Sequence, residues 1–109
     1  MFCVPVRGIL MELLNGDFSY IVDTKSNKAT IMRIYIPAKV KKDIEIPQYV
    51  EDFSGAKYKV EILKESAIKN VINRVKSLKL PESVMKDERN YKAMTWFLIY
   101  DIPVETYAC

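Results

Sequence analysis

Apolar and polar residues alternate with a period of two over much of this chain, the pattern of strands with one buried face. Phe18, Tyr20 and Val22 alternate with Ser19, Ile21 and Asp23, and a β-branched, apolar stretch follows at 29–36 after a polar turn carrying Asn27. Together these segments predict a hairpin near 18–36, ended by Pro37, which has no N–H for a further ladder bond. Short apolar–polar–apolar triplets then recur, Ile44-Glu45-Ile46 and Leu78-Lys79-Leu80, each stopped by a proline. Strands are therefore expected near 44–46, 58–62 and 77–80, with another near 97–102 in the aromatic run WFLIYDI. Only residues 64–73 show helical spacing, with Ala67, Ile68, Val71 and Ile72 on one side, which predicts one short helix near 64–72. The predicted core is Phe18, Tyr20, Ile44, Ile46, Val50, Val60, Ala67, Ile68, Leu78, Leu80 and Val84.

The two triplets belong to longer matching phrases, Ile-Glu-Ile-Pro-Gln-Tyr-Val at 44–50 and Leu-Lys-Leu-Pro-Glu-Ser-Val at 78–84, and Ile102-Pro103 repeats their ending a third time. Self-similarity at a few tens of residues is the mark of a solenoid, in which each unit buries its apolar edge against its neighbours. The interval from Pro47 to Pro81 is longer than that from Pro81 to Pro103, and a hairpin inserted around Gly55 accounts for the excess. Tyr58, Val60 and Leu63, then Ala67-Ile68, Asn70, Val75 and the phrase closing at Val84, give the stretch its order of strand, turn and plug. In this it resembles the BspA-like leucine-rich repeat family, with Lys64 in place of that family's usual glycine and Ile68 in place of its phenylalanine. The resemblance implies a short, β-rich, leucine-rich-repeat-like solenoid with an N-terminal hairpin cap. The expected organisation is a single domain: 1–16 a leader or extra strand, 17–43 the cap, 44–84 the repeat-like core, and 85–109 a degenerate last unit or C-terminal cap.

Composition changes this picture little. At 109 residues, 50% hydrophobic and 28% charged, the chain is an ordinary globular domain able to bury roughly two-thirds of its unfolded surface. A formal charge of +3, with basic and acidic residues interspersed, implies neither nucleic acid nor membrane. No segment is long and apolar enough to span a bilayer, and the N-terminus does not read as a secretory signal, since Arg7 and Glu12 interrupt its apolar residues. Cys3 and Cys109 lie at opposite ends; a disulfide between them and two free thiols both remain open, and the redox compartment with them.

The chemistry-bearing residue types are sparse. The chain has no histidine, which removes the commonest general base and metal ligand, and its three glycines are too scattered to cradle a phosphate. The neighbouring acids Glu51-Asp52 and Asp87-Glu88 are expected to be solvated surface rather than an acid–base pair. No catalytic, cofactor or metal site is therefore expected. A protein-interaction module is the leading expectation, its partner-binding surface formed by the outward side chains Glu45, Lys79 and Asp101, each two residues before a proline. The family resemblance implies adhesion-type binding of protein or glycan at a cell surface or outside the cell. The second class is a structural, self-assembling domain, in which Trp96, Phe97 and Leu98 form a strand edge that pairs with another copy in a homodimer, or folds back over the end of the core. The weakest is a basic nucleic-acid binder using Lys39, Lys41, Lys42, Tyr35 and Tyr49, against which Asp43 and Glu45 speak.

Overall fold

The computed structural model describes residues 9–108. Its first three strands, β1 (Leu10–Asn15), β2 (Phe18–Asp23) and β3 (Lys28–Ile34), form an antiparallel meander. Gly16, at φ 60, supplies the left-handed step that a two-residue hairpin turn needs, and Asn27, at φ 57, does the same in the next turn with a side chain that tolerates it. The hairpin expected near 18–36 is β2 and β3, and residues 10–15 prove to be an added strand. After β4 (Lys42–Glu45) the chain makes a second antiparallel hairpin, β5 (Tyr49–Glu51) and β6 (Lys57–Leu63), around Gly55. β6 then lies parallel to β3, with Ala29 opposite Val60 and Ile31 opposite Leu63, which completes a mixed sheet A in the order β1-β2-β3-β6-β5.

Helix α1 (Glu65–Lys69) leads towards β7 (Val75–Pro81) through a 3-10 turn at Ile72–Arg74. It buries Ala67 and Ile68, and the acid in its first turn and base in its last complement the helix dipole. α2 (Glu82–Lys86) and α3 (Tyr91–Ile99) follow, and β8 (Val104–Tyr107) ends the described chain. Sheet B is parallel throughout, in the order β4-β7-β8. The two proline phrases do meet there: Ile44 pairs with Leu78, and Glu45 with Lys79.

The short solenoid is nevertheless not what the chain builds. Only three of the eight described strands make an all-parallel sheet, and the other five form a mixed sheet whose pairs are mostly antiparallel. Between the triplets at 44–46 and 78–80 the chain leaves sheet B, adds β5 and β6 to sheet A, and returns, so the triplets are neighbours in a small sheet and not successive coils. Among the described residues the count of α-helices is also corrected, from one to three. The strand expected near 97–102 is instead the end of α3 and the turn after it, because Ala93 and Phe97, one helical turn apart, are both buried.

The apolar sides of both sheets and of the helices share one core. All eleven side chains expected in it are buried, Tyr20, Ile46, Ile68 and Leu80 almost completely. Two polar residues, Ser19 and Asn90, are buried with them. Asn90, with no exposed surface, accepts from the Leu63 N–H at 2.7 Å through Oδ1 and donates through Nδ2 to the carbonyls of Glu61 and Val84, both at 2.8 Å. It thereby fastens the end of β6 to α2 and to the start of α3.

Candidate functional site

Strand alternation decides which side chains sheet B offers to solvent. Ile44, Leu78 and Leu80 point into the core, so Asp43 and Glu45 on β4, Ser77 and Lys79 on β7, and Glu105 on β8 point outward. The parallel register then sets Glu45, Lys79 and Glu105 side by side across the three strands. Lys79 Nζ lies 4.0 Å from Glu45 Oε1 and 5.9 Å from the centre of the Tyr107 ring. One step along, Ser77 Oγ donates to Asp43 Oδ1 at 2.6 Å. These groups line a shallow hollow of about 390 Å³, with Pro103 and Val104 at its side. Its three carboxylates and single ammonium make it acidic on a chain whose formal charge is +3.

Glu45 and Lys79 are thus neighbours on one face, as expected. Asp101 is not with them: it sits in the turn after α3, at φ 52, with its N–H donating to the Leu98 carbonyl at 3.2 Å. Its expected place in the row belongs to Glu105. The first two phrases place their proline at the end of the strand or just after it, whereas Pro103 precedes β8, so counting back from proline picks the wrong residue. The alternation Val104-Glu105-Thr106-Tyr107 was the available signal for β8.

Trp96, Phe97 and Leu98 do not form a strand edge, since all three lie in α3. Phe97 is buried in the core, and Leu98 is 76% exposed. Trp96 is partly buried, with its indole N–H 3.3 Å from Glu65 Oε2 and Lys69 Nζ 5.8 Å from its ring centre. The segment folds back onto α1, so pairing of copies through a strand at this place is ruled out by its helical conformation. Of the basic residues weighed for nucleic acid, Lys42 forms an ion pair with Asp17. Cys3 and Cys109 lie outside the described residues.

The neighbouring acids have structural work. Asp52 organises the β5–β6 turn: its Oδ1 accepts from the Ser54 hydroxyl at 2.6 Å and from the Ser54 and Ala56 N–H groups, and its Oδ2 accepts from the Tyr58 hydroxyl at 2.7 Å. These donors, Ser54 and Tyr58 foremost, hold its carboxyl at about 2, and the same bond pushes the Tyr58 phenol up. Asp87 accepts from the Arg89 side chain and backbone N–H, which holds it likewise at about 2. Burial, with Tyr107 nearby, raises the Tyr20 phenol. Among the described residues no group of three or more histidine, cysteine, aspartate or glutamate side chains is placed to hold a metal ion. No helix among them is long and apolar enough to cross a membrane. No protein-family model matches the chain, and no curated protein and no solved structure shows significant similarity to it.

Proposed function

We propose that the chain is a non-catalytic interaction module that binds a protein or glycan partner on the outward face of sheet B. The observation that carries this reading is the row Glu45–Lys79–Glu105 over the hollow beside Pro103, on strands held from behind by the core. A rigid sheet that presents alternating charged and polar side chains fixes their spacing before a partner arrives, so little ordering entropy is lost on binding. The commitment of Asp52 and Asp87 to local hydrogen bonds supports the non-catalytic part, since carboxyls held at about 2 are poor proton carriers near neutral pH. The resemblance of the proline phrases to the BspA-like family, whose solenoid this chain does not build, makes adhesion-type partners the first to test.

A panel of glycans and immobilised extracellular-matrix proteins, probed with wild type and with the double variant Glu45→Lys/Glu105→Lys, tests the reading. Wild type is expected to bind at least one member saturably. The double variant, whose substitutions sit on exposed positions, is expected to keep its melting temperature and lose that binding by tenfold or more, about 1.4 kcal/mol. Equal binding by both proteins would move the site off this face, and no binding by wild type to any member would refute the adhesion reading.

A further inference from the structure

The four strands at the edges of the two sheets differ in how they are guarded against pairing with another chain. β5 is only three residues long, β8 is four and follows Pro103, and β4 carries Lys42 with Lys41 before it. Short length, proline and lysine are the usual protections of an edge. β1 has none of them: it is six residues, Leu-Met-Glu-Leu-Leu-Asn, regular in register with β2 along its whole length.

Among the described residues no strand pairs with the outer side of β1, and the backbone groups that face it can be assigned. The Thr24 N–H donates to the Ile9 carbonyl, which makes Ile9 and Thr24 a hydrogen-bonded pair; by antiparallel alternation Met11, Leu13 and Asn15 also turn their backbone groups towards β2. Leu10, Glu12 and Leu14 therefore aim theirs outward. This set is symmetric about Glu12. An antiparallel second copy related by a two-fold axis through that residue sets Leu10 opposite Leu14 of the second copy, Met11 opposite its Leu13, and Glu12 opposite its Glu12. Each outward N–H then meets an outward carbonyl. The pairing also keeps each side of the sheet continuous: Leu10 and Leu14, 70% and 69% exposed, cover one another on the open side, and Met11 and Leu13, packed against the core, extend the inner one.

We propose that β1 is a self-association edge, through which two copies join their five-stranded sheets into one continuous antiparallel seam. The occupant is a second copy because the edge is complementary to itself in backbone and in apolar side chains. A single six-residue strand pair lies at the small end of interfaces, below about 1,200 Å², and its centre apposes two like charges, so the dimer is weak and reversible.

Sedimentation of the full chain from about 1 µM to about 1 mM tests the proposal. Wild type is expected to pass from monomer to dimer within that range. Leu14→Lys, at an exposed position, is expected to retain its circular dichroism and remain monomeric. Mixing wild type with Glu12→Lys replaces the central repulsion by attraction, so the mixed dimer should be tighter than either homodimer by roughly threefold or more. That comparison reads the interface even if Leu14→Lys fails to fold. Wild type monomeric throughout, a dimer indifferent to both β1 substitutions, or a dimer lost instead in Leu98→Lys on α3 would overturn the proposal.

Discussion

Replacing Asn90 by leucine is the sharpest test of how this fold is held together. The two side chains share a branched shape and the same number of heavy atoms, although the methyl groups of leucine are bulkier, so the change removes polarity and adds some overpacking. It leaves three backbone groups without their partner: the Leu63 N–H and the carbonyls of Glu61 and Val84. Asn90 has no exposed surface, so water cannot replace it without opening the junction of β6, α2 and α3. Each stranded buried group costs about 1–3 kcal/mol, and allowing for partial relaxation of the two carbonyls the total is about 3–6 kcal/mol. That is a large share of the roughly 5–15 kcal/mol by which domains are stable. In urea, with a slope of about 1–3 kcal/mol per molar, the midpoint should fall by about 1 M or more. Asn90→Asp sharpens the point. A charged carboxylate there would face two carbonyls, so its folded pKa should rise above the unfolded one; the variant should gain stability as pH falls through that range, when the protonated acid regains a donor. A midpoint shift below about 0.3 M for Asn90→Leu would show that these bonds contribute little, and that packing alone joins the helices to sheet A.

Leu80, fully buried in β7, should cost about 2–5 kcal/mol when replaced by alanine, read from chemical or thermal unfolding, with a loss under 1 kcal/mol contradicting its place in the core. Asp52 and Asp87 sit at about 2 in the folded protein against an ordinary 3.8, so their contribution is complete above about pH 4 and disappears as pH falls through about 2. The double variant Asp52→Asn/Asp87→Asn should therefore lose less stability than wild type between those pH values, measured by urea midpoints across the window.

The buried side of each strand was legible because period-two alternation depends on local geometry alone. Phe18, Tyr20 and Val22 face the core for that reason, and so do Ile44, Leu78 and Leu80 in sheet B. The pairing of Ile44 with Leu78 was legible from the phrases that surround them. What those phrases did not carry was the route between them, because a repeated strand fixes a neighbour and says nothing about which sheet the intervening residues join. The run at 96–100 misled through its strand propensity. Burial of Ala93 and Phe97 one turn apart outweighs that preference, which is worth at most about 1 kcal/mol at a given position. Two of the three residues in the proposed binding row were visible, and Glu105 was not, since its strand lies on the far side of a proline. Asn90 carried no sequence signal: its three partners lie on β6 and α2, which only the tertiary fold brings to it.

The interleaving of the two sheets along the chain bears on the order in which it folds. The β1–β2–β3 meander closes through tight turns and can form within microseconds, and the β5–β6 hairpin has equally local contacts. Sheet B has no such beginning. Asp43 and Ser77, which meet across β4 and β7, are 34 residues apart, and the loop between them must be closed before the pairing is rewarded. On the ribosome, β4 therefore emerges well before β7, its partner strand among the described residues. During that interval Ile44 and Ile46 stand in an incomplete sheet, and the lysines at 39, 41 and 42 just ahead of them put charge where it disfavours pairing of the waiting strand with a wrong neighbour before β7 arrives.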